Sequence, residues 1–186
     1  MKQLLLFFLL FIGIPTYAQT SLGIEAQAYP AGVVPGLRFD LGISETLTLT
    51  SRIGYNFTDR RDWGEHDNEE GGGPGFSLGF ERTGFLTEKL SVYARTDLWF
   101  MDIDWRDTQY ICPVAPPCGN IESAGATNIT VLQPTLGIGY SFPLSGNYFV
   151  KPSLSFGYEI NVKTDGEDVG QGPILLAGFQ LGRLHQ

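Results

Sequence analysis

Two histidines and two cysteines are the side chains of this sequence with the clearest capacity for chemistry. His66 lies in an acidic stretch, and His185 lies next to the end of the chain. Catalysis by a serine or cysteine nucleophile needs a base within hydrogen-bond reach, and neither histidine lies beside a serine of a predicted strand. The sequence therefore predicts no catalytic site, no enzyme and no cofactor.

The cysteines, Cys112 and Cys118, enclose the segment Pro-Val-Ala-Pro-Pro in a polar stretch. Two cysteines at this spacing in an exported chain predict a disulfide. Closing so small a ring stabilises a fold by about 2 kcal/mol at most, so we expect the bond to shape a loop tip. Metal binding is the competing interpretation, although two thiols without a neighbouring histidine supply too few ligands.

Acidic side chains are concentrated in two stretches, 59–74 and 163–172. Several carboxylates together are what Ca²⁺ binds, so a divalent-cation site is one interpretation. Their spacing matches no defined calcium loop, and solvated acidic loop tips are the simpler interpretation, so we assign no metal ligand. The acids are Asp59, Asp62, Glu65, Asp67, Glu69 and Glu70 in the first stretch and Asp165, Glu167 and Asp168 in the second.

A further set of charged residues recurs at alternate positions, on faces otherwise occupied by glycine, serine and threonine. Buried charges must be paired and hydrogen-bonded, because each unpaired one costs several kcal/mol. A set that is nearly balanced in sign therefore predicts an internal network of ion pairs. Its members are Glu25, Arg38, Asp40, Arg52, Glu81, Arg95, Asp97, Lys151 and Glu159.

These charges are carried by eight segments in which apolar and polar residues alternate. Alternation places successive side chains on opposite faces and predicts β-strands. In the sixth segment the apolar phase changes near Pro134, which predicts a bulge there. The segments are Ser21–Tyr29, Pro35–Ile43, Thr46–Thr58, Gly75–Arg82, Leu90–Phe100 (the clearest part of 88–105), Asn128–Phe142, Asn147–Val162 and Pro173–Arg183.

Short turns alternate with long polar loops between these segments, and the long loops are 59–74, 106–127 and 163–172. This arrangement is typical of outer-membrane barrels, whose tight turns are periplasmic. The sequence predicts an all-β fold, an eight-stranded antiparallel up-and-down transmembrane β-barrel. A soluble barrel or sandwich would alternate too, but the many small residues of the polar face favour the interior of a narrow barrel.

Aromatic residues near both ends of the segments predict two belts at the membrane interfaces. One belt comprises Tyr55, Phe57, Trp99, Phe100 and Tyr158 near the loops, and the other comprises Tyr140, Phe142 and Tyr148 near the turns. Lipid of the outer membrane is therefore the first expected partner.

The first 18 residues have the composition of a cleaved secretory signal peptide. An apolar run from Leu4 to Ile14 is too short for a spanning helix, which needs about 20 residues, and Ala18 ends the segment before the cleavage site. The mature domain, 19–186, then has 11 basic and 20 acidic residues and a formal net charge of −9. That charge disfavours nucleic acid as a partner.

In its signal peptide, eight alternating segments, tight turns and polar loops, the chain resembles the small outer-membrane barrels related to OmpX and the transmembrane domain of OmpA. The resemblance covers nearly all of residues 20–186 and implies a location in the bacterial outer membrane and a charge-paired core without a wide pore. It also implies a role in envelope integrity, adhesion or host interaction. The ending Gly182-Arg183-Leu184-His185-Gln186 departs from the family, whose last strand commonly ends in an aromatic residue.

Two functional hypotheses follow. In the first, the barrel has a closed, charge-paired core and acts in envelope structure or surface interaction, with loops 59–74, 106–127 and 163–172 contacting a surface ligand or envelope protein. In the second, it is a channel, transporter or sensor for a small solute. A lumen filled by charges and small side chains favours the first hypothesis.

Overall fold

The structure is a computed structural model that describes residues 19–112 and 118–185. The predicted signal peptide, 1–18, lies outside the described residues. The strands are β1 (Thr20–Tyr29), β2 (Gly32–Gly42), β3 (Leu47–Asp59), β4 (Asn68–Thr83), β5 (Leu90–Ile111), β6 (Gly119–Tyr140), β7 (Phe142–Pro143), β8 (Tyr148–Asp165) and β9 (Gly172–His185), with a 3₁₀ turn at Arg61–Trp63. No helix in the described ranges has the length and apolarity needed to span a membrane.

The strands form one closed antiparallel sheet. Each strand pairs with its neighbours in sequence, except that β6 and β7 do not pair with each other, and the sheet closes because β1 pairs with β9. β7 resumes the path of β6 after Ser141 and pairs with β8, which also pairs with β6. The nine segments thus make eight barrel strands, and the predicted eight-stranded antiparallel barrel is confirmed.

The two faces of this sheet have the opposite polarity to those of a soluble barrel. Apolar side chains point outwards, among them Ile53 at 63%, Leu136 at 68% and Phe156 at 60% exposure. Charged side chains point inwards, where Arg52 is 2% and Asp97 is 0% exposed. An outward apolar band suits hydrocarbon and not water.

The strands near the loop end are longer than the sequence predicted. β4 begins at Asn68 and not at Gly75, and β5 and β6 are 22 residues each and reach Ile111 and Gly119. Half of the predicted loop 59–74 and most of the predicted loop 106–127 are therefore strand. The run Gly71–Gly73 resembles a turn in sequence, but a Cβ at Gly73 would collide with the Phe100 carbonyl oxygen of β5. These glycines allow close strand approach.

The predicted bulge near Pro134 is wrong. Pairing with β8 keeps one register across this position, from Leu132↔Ile160 to Thr135↔Gly157, and the register shift lies instead between Thr130 and Val131. The apolar residues of this strand change from odd to even positions because its inner face is apolar near the loop end, whereas its outer face is apolar in the rest of the barrel. Ile129 and Val131 point inwards and are 3% and 0% exposed.

Trp99 was predicted in the outer aromatic belt, and this was wrong because its side chain is fully buried in the lumen. It belongs to an apolar cluster near the loop end. That cluster comprises Val34, Trp99, Met101, Ile103, Ile129, Val131 and Val169. The other predicted belt residues, such as Phe57 and Tyr148, are exposed on the outer face.

Candidate functional site: the charged lumen and the outer mouth

The centre of the lumen is organised around the carboxylate of Glu25 on β1, which is 4% exposed. Three guanidinium groups converge on it. Arg38 lies 2.8 Å from Oε2, and Arg52 and Arg95 lie 2.8 Å and 2.6 Å from Oε1. These arginines come from β2, β3 and β5, so a single carboxylate links four strands across the barrel.

Towards the turn end the network continues through Arg38. Its guanidinium also bonds Asp40 at 2.7 Å and Glu81 at 2.6 Å. Lys151 on β8 donates to both oxygens of Glu81 at 2.7 Å. The result is a chain of ion pairs from β1 to β8 across the lumen.

On the other side of Glu25, Asp97 Oδ1 lies 3.0 Å from guanidinium nitrogens of both Arg52 and Arg95. The four cations of the network thus meet the four anions Glu25, Asp40, Glu81 and Asp97, and the formal charges cancel. A balanced, hydrogen-bonded set is the condition under which charge is tolerated in a buried site. Eight of the nine predicted residues lie in this central network.

The ninth, Glu159, does not join the central network. It lies 3.2 Å from Arg60, which is also 3.3 Å from Glu69, and these three side chains form a separate group at the loop end. Arg60 and Glu69 are buried, although the sequence predicted a loop over 59–74, which includes both. Arg60 lies two residues after the inward-facing Thr58, and Glu69 lies eight residues before the inward-facing Ser77. Alternate residues of a strand share a face, so this spacing could have predicted that both side chains point inwards.

The apolar cluster lies against both charged groups. Arg52 lies over the Trp99 ring, with its guanidinium carbon 5.3 Å from the ring centroid. The Trp99 indole donates to Gln133 Oε1 at 3.1 Å. At the loop end, Val169 is 2% exposed in the cluster, while the adjacent Gly170 N–H donates to Glu69. The lumen is therefore occupied by packed side chains from its centre to its outer mouth.

The turn end is open by contrast. A vestibule of about 990 Å³ enters the barrel there, between the turn residues Ser44 and Lys89. Asp40, Glu81 and Lys151 line its inner part. Access from this side thus reaches the central network of ion pairs.

At the opposite end β5 and β6 continue beyond the barrel as a two-stranded hairpin. β4 pairs with β5 only as far as Arg106, and β8 pairs with β6 only as far as Asn128. Tyr110 is 71% and Ile121 is 56% exposed on this hairpin. The predicted disulfide joins Cys112 and Cys118 at its tip, with the two Cα atoms 4.2 Å apart.

The predicted acidic loop tips also have defined contacts. Asp107 accepts from the Asp67 amide at 3.0 Å, and Asp67 accepts from the Thr108 amide at 2.8 Å. Glu69 accepts from the Glu65 amide at 2.7 Å. These carboxylates hold loop backbone, and the described residues contain no cluster of three or more potential metal ligands.

Solved structures of outer-membrane proteins are similar to this chain. A major outer membrane protein of Thermus thermophilus is similar over 90% of this chain and 99% of its own, at 12% identity and a TM-score of 0.53. Neisserial surface protein A matches over 89% and 94% at 10% identity and 0.47. The N-terminal β-barrel domain of Pseudomonas aeruginosa OprF matches over 88% and 96% at 16% identity and 0.45.

No protein-family model and no curated protein matches the sequence. At such low identity, the likeness to the Thermus protein establishes the fold and not the activity. The chain has the fold of the eight-stranded outer-membrane barrels, and the resemblance found in the sequence is confirmed at that level.

Proposed function

We propose that this protein is exported by its signal peptide, cleaved after Ala18, and resides in the bacterial outer membrane as a barrel closed across its lumen. It acts without catalysis, in envelope structure or surface interaction, through the hairpin and the other outer loops. The turns then face the periplasm and the loops face the exterior. The outward apolar band and the two belts of exposed aromatic residues support this placement.

The observation that carries the proposal is the difference in exposure between the side chains of the lumen and those of the hairpin. Within the barrel, ion pairs and the apolar cluster occupy the space that a solute would need. Beyond the barrel, the hairpin exposes apolar and polar side chains on both faces. Side chains that serve no packing role inside the protein are available to a partner.

Charge indicates the chemistry of that partner. Residues 59–70, 102–112, 118–128 and 163–168 at the loop end contain 13 acidic and 4 basic side chains. A surface of one predominant sign attracts groups of the opposite sign and repels its own. We therefore expect a partner with a basic contact surface, reached through the hairpin.

Site-specific photo-crosslinking on intact cells tests this proposal. A photoreactive residue at Tyr110 on the hairpin should give a discrete non-lipid adduct. The matched control is the same residue at Leu136, which is equally exposed but faces outwards from the barrel and should react with lipid alone. Lipid-only adducts at both positions would contradict a surface partner.

A shortened hairpin gives a second control. Replacing residues 109–121 by Asn-Gly retains the pairing of Thr108 with Glu122 and supplies a favoured two-residue turn. This variant should fold and should abolish the adduct of a probe placed at Glu122. An undiminished adduct would mean that the partner binds without residues 109–121 of the hairpin.

The vestibule supports one alternative function. A small solute entering from the turn end would reach Lys151 and Glu81, and its passage would require the central network to open. The protein would then be a channel, transporter or sensor for that solute. Conductance distinguishes this alternative from the closed barrel.

A further inference from the structure

Three segments meet around His66 at the outer mouth: the loop 60–67, strand β5 and the segment 166–171. The imidazole stacks on Trp105 of β5, with ring centroids 4.3 Å apart and the planes 12° from parallel. Its Nδ1 lies 2.8 Å from Asp107 Oδ2, and its Nε2 lies 2.9 Å from the Asp168 carbonyl oxygen. The side chain of His66 is only 12% exposed.

The partners of the ring determine its protonation state. A backbone carbonyl can only accept a hydrogen bond, and so can an ionised carboxylate. Asp107 also accepts from the Asp67 amide, and the hydrogen bonds from His66 and from that amide lower the pKa of Asp107. Both ring nitrogens of His66 must therefore donate, which requires the doubly protonated imidazolium.

The segment held by this contact closes the mouth. Asp168 is followed by Val169, which is buried in the apolar cluster, and by Gly170, whose N–H donates to Glu69 Oε2 at 3.0 Å. Arg60 donates to the Gly170 carbonyl oxygen. On the far side, Thr127 of β6 donates to the Glu167 carbonyl at 3.0 Å.

We propose that His66 is a proton-operated latch, which holds segment 166–171 in the outer mouth while both ring nitrogens are protonated. Loss of one proton removes a donor from either Asp107 or the Asp168 carbonyl. The contact between loop 60–67, β5 and segment 166–171 then weakens, and Val169 and Gly170 are held by fewer bonds. This inference does not depend on the surface partner proposed above.

The groups that face the ring from each packed element are carboxylates or a hydrogen-bond acceptor. Asp107 faces it from β5, Glu69 from β4 and the Asp168 carbonyl from segment 166–171. Partial burial lowers the pKa of His66, but the hydrogen bond and charge of Asp107, with smaller effects of Asp168 and Glu69, outweigh burial and raise it above the ordinary 6.5. The flanking acids of its own loop, Glu65 and Asp67, have the same sign.

A raised folded-state pKa fixes the direction of the pH effect. The protonated latch contributes its full stabilisation below pH 6.5, and this is lost as pH rises through the folded-state pKa of His66. The mouth should therefore be held most firmly in mildly acidic conditions. It should loosen as pH rises above 6.5, over the interval in which the ring titrates.

NMR on the folded protein in detergent micelles tests the latch. In His185→Gln, His66 is the sole histidine of the mature chain, so its ring signals are unambiguous. We expect a midpoint above 6.5. The protection of the Gly170 amide, corrected for the intrinsic pH dependence of exchange, should fall about tenfold for each pKa unit of that elevation. A midpoint at or below 6.5, or constant protection of Gly170 through the titration, would overturn the proposal.

Two substitutions distinguish the effect of His66 protonation from the effect of its stacking on Trp105. His66→Phe retains an aromatic ring against Trp105 but cannot donate, so Gly170 should be weakly protected at every pH. Asp107→Asn should lower the midpoint of His66, whereas Glu122→Gln, on the same hairpin but in no contact with the ring, should leave it unchanged. Equal midpoints in Asp107→Asn and Glu122→Gln would also refute the latch.

Discussion

The two parts of hairpin β5–β6 have the same backbone ladder and opposite surroundings. Inside the barrel, Arg95 and Asp97 point into the lumen while Thr96 and Leu136 point outwards. Beyond the barrel, Tyr110, Ile121 and their neighbours are exposed on both faces. Strand pairing alone therefore does not produce alternation of residue type. Alternation appears where one face is buried and the other meets lipid.

The part of the protein inside the barrel and the protruding hairpin should therefore respond differently to the same kind of substitution. Loss of a charge should give the largest difference in stability between them. In Glu25→Gln the central network keeps four cations and three anions, and breaking a buried ion pair costs about 3–5 kcal/mol. The free energy of unfolding from lipid vesicles in urea measures this cost. The matched control, Glu122→Gln on the hairpin, should leave that free energy unchanged. Equal stabilities of the two variants would show that the lumen tolerates unpaired charge.

Introducing a charge on the outer face is expected to have the next largest effect. Leu136→Arg places a guanidinium in hydrocarbon, at a cost of about 2–4 kcal/mol near the bilayer midplane. Ile121→Arg, on the same strand beyond the membrane, should fold normally. The yield of folded protein in vesicles, read from heat-modifiable gel mobility, compares them. Normal folding of Leu136→Arg would mean that the assignment of faces is wrong.

A single added methyl group on β6 should give a smaller difference in stability between a position inside the barrel and one on the hairpin. In Gly137→Ala the new Cβ would collide with the Tyr93 ring and lie 2.7 Å from Ser155 Cβ, and overpacking costs about 1–3 kcal/mol. At Gly119, a Cβ would meet nothing within 4 Å in the described part of the chain. Urea unfolding should show a loss for Gly137→Ala alone. A loss of the same size in both variants would contradict tight packing in the lumen.

The central network was predictable because alternation assigns a face to each residue, and charges on the inner face of a narrow barrel must pair. Alternation does not assign the position of a residue along the barrel axis, because that position depends on strand tilt and register. For that reason Glu159 was placed with Glu25, although the structure joins it to Arg60. The same rule, extended by one step past Thr58, would have placed Arg60 inside.

The protruding hairpin was not predictable as strand from alternation, because both of its faces are exposed. Its composition is that of a polar loop, and only the ladder of hydrogen bonds distinguishes the two. Likewise, the predicted bulge would have brought the apolar residues before Pro134, Ile129 and Val131, onto the outer face with Leu136. They point inwards because the lumen changes from charged to apolar near the mouth.

Planar-bilayer recording of the purified wild-type protein tests whether packed side chains close the lumen. A filled lumen leaves no continuous water path between the vestibule and the exterior, since eight strands enclose room for side chains only. We expect a flat baseline without single-channel steps. Stable steps whose conductance rises with salt concentration would contradict the closed lumen and favour the solute channel.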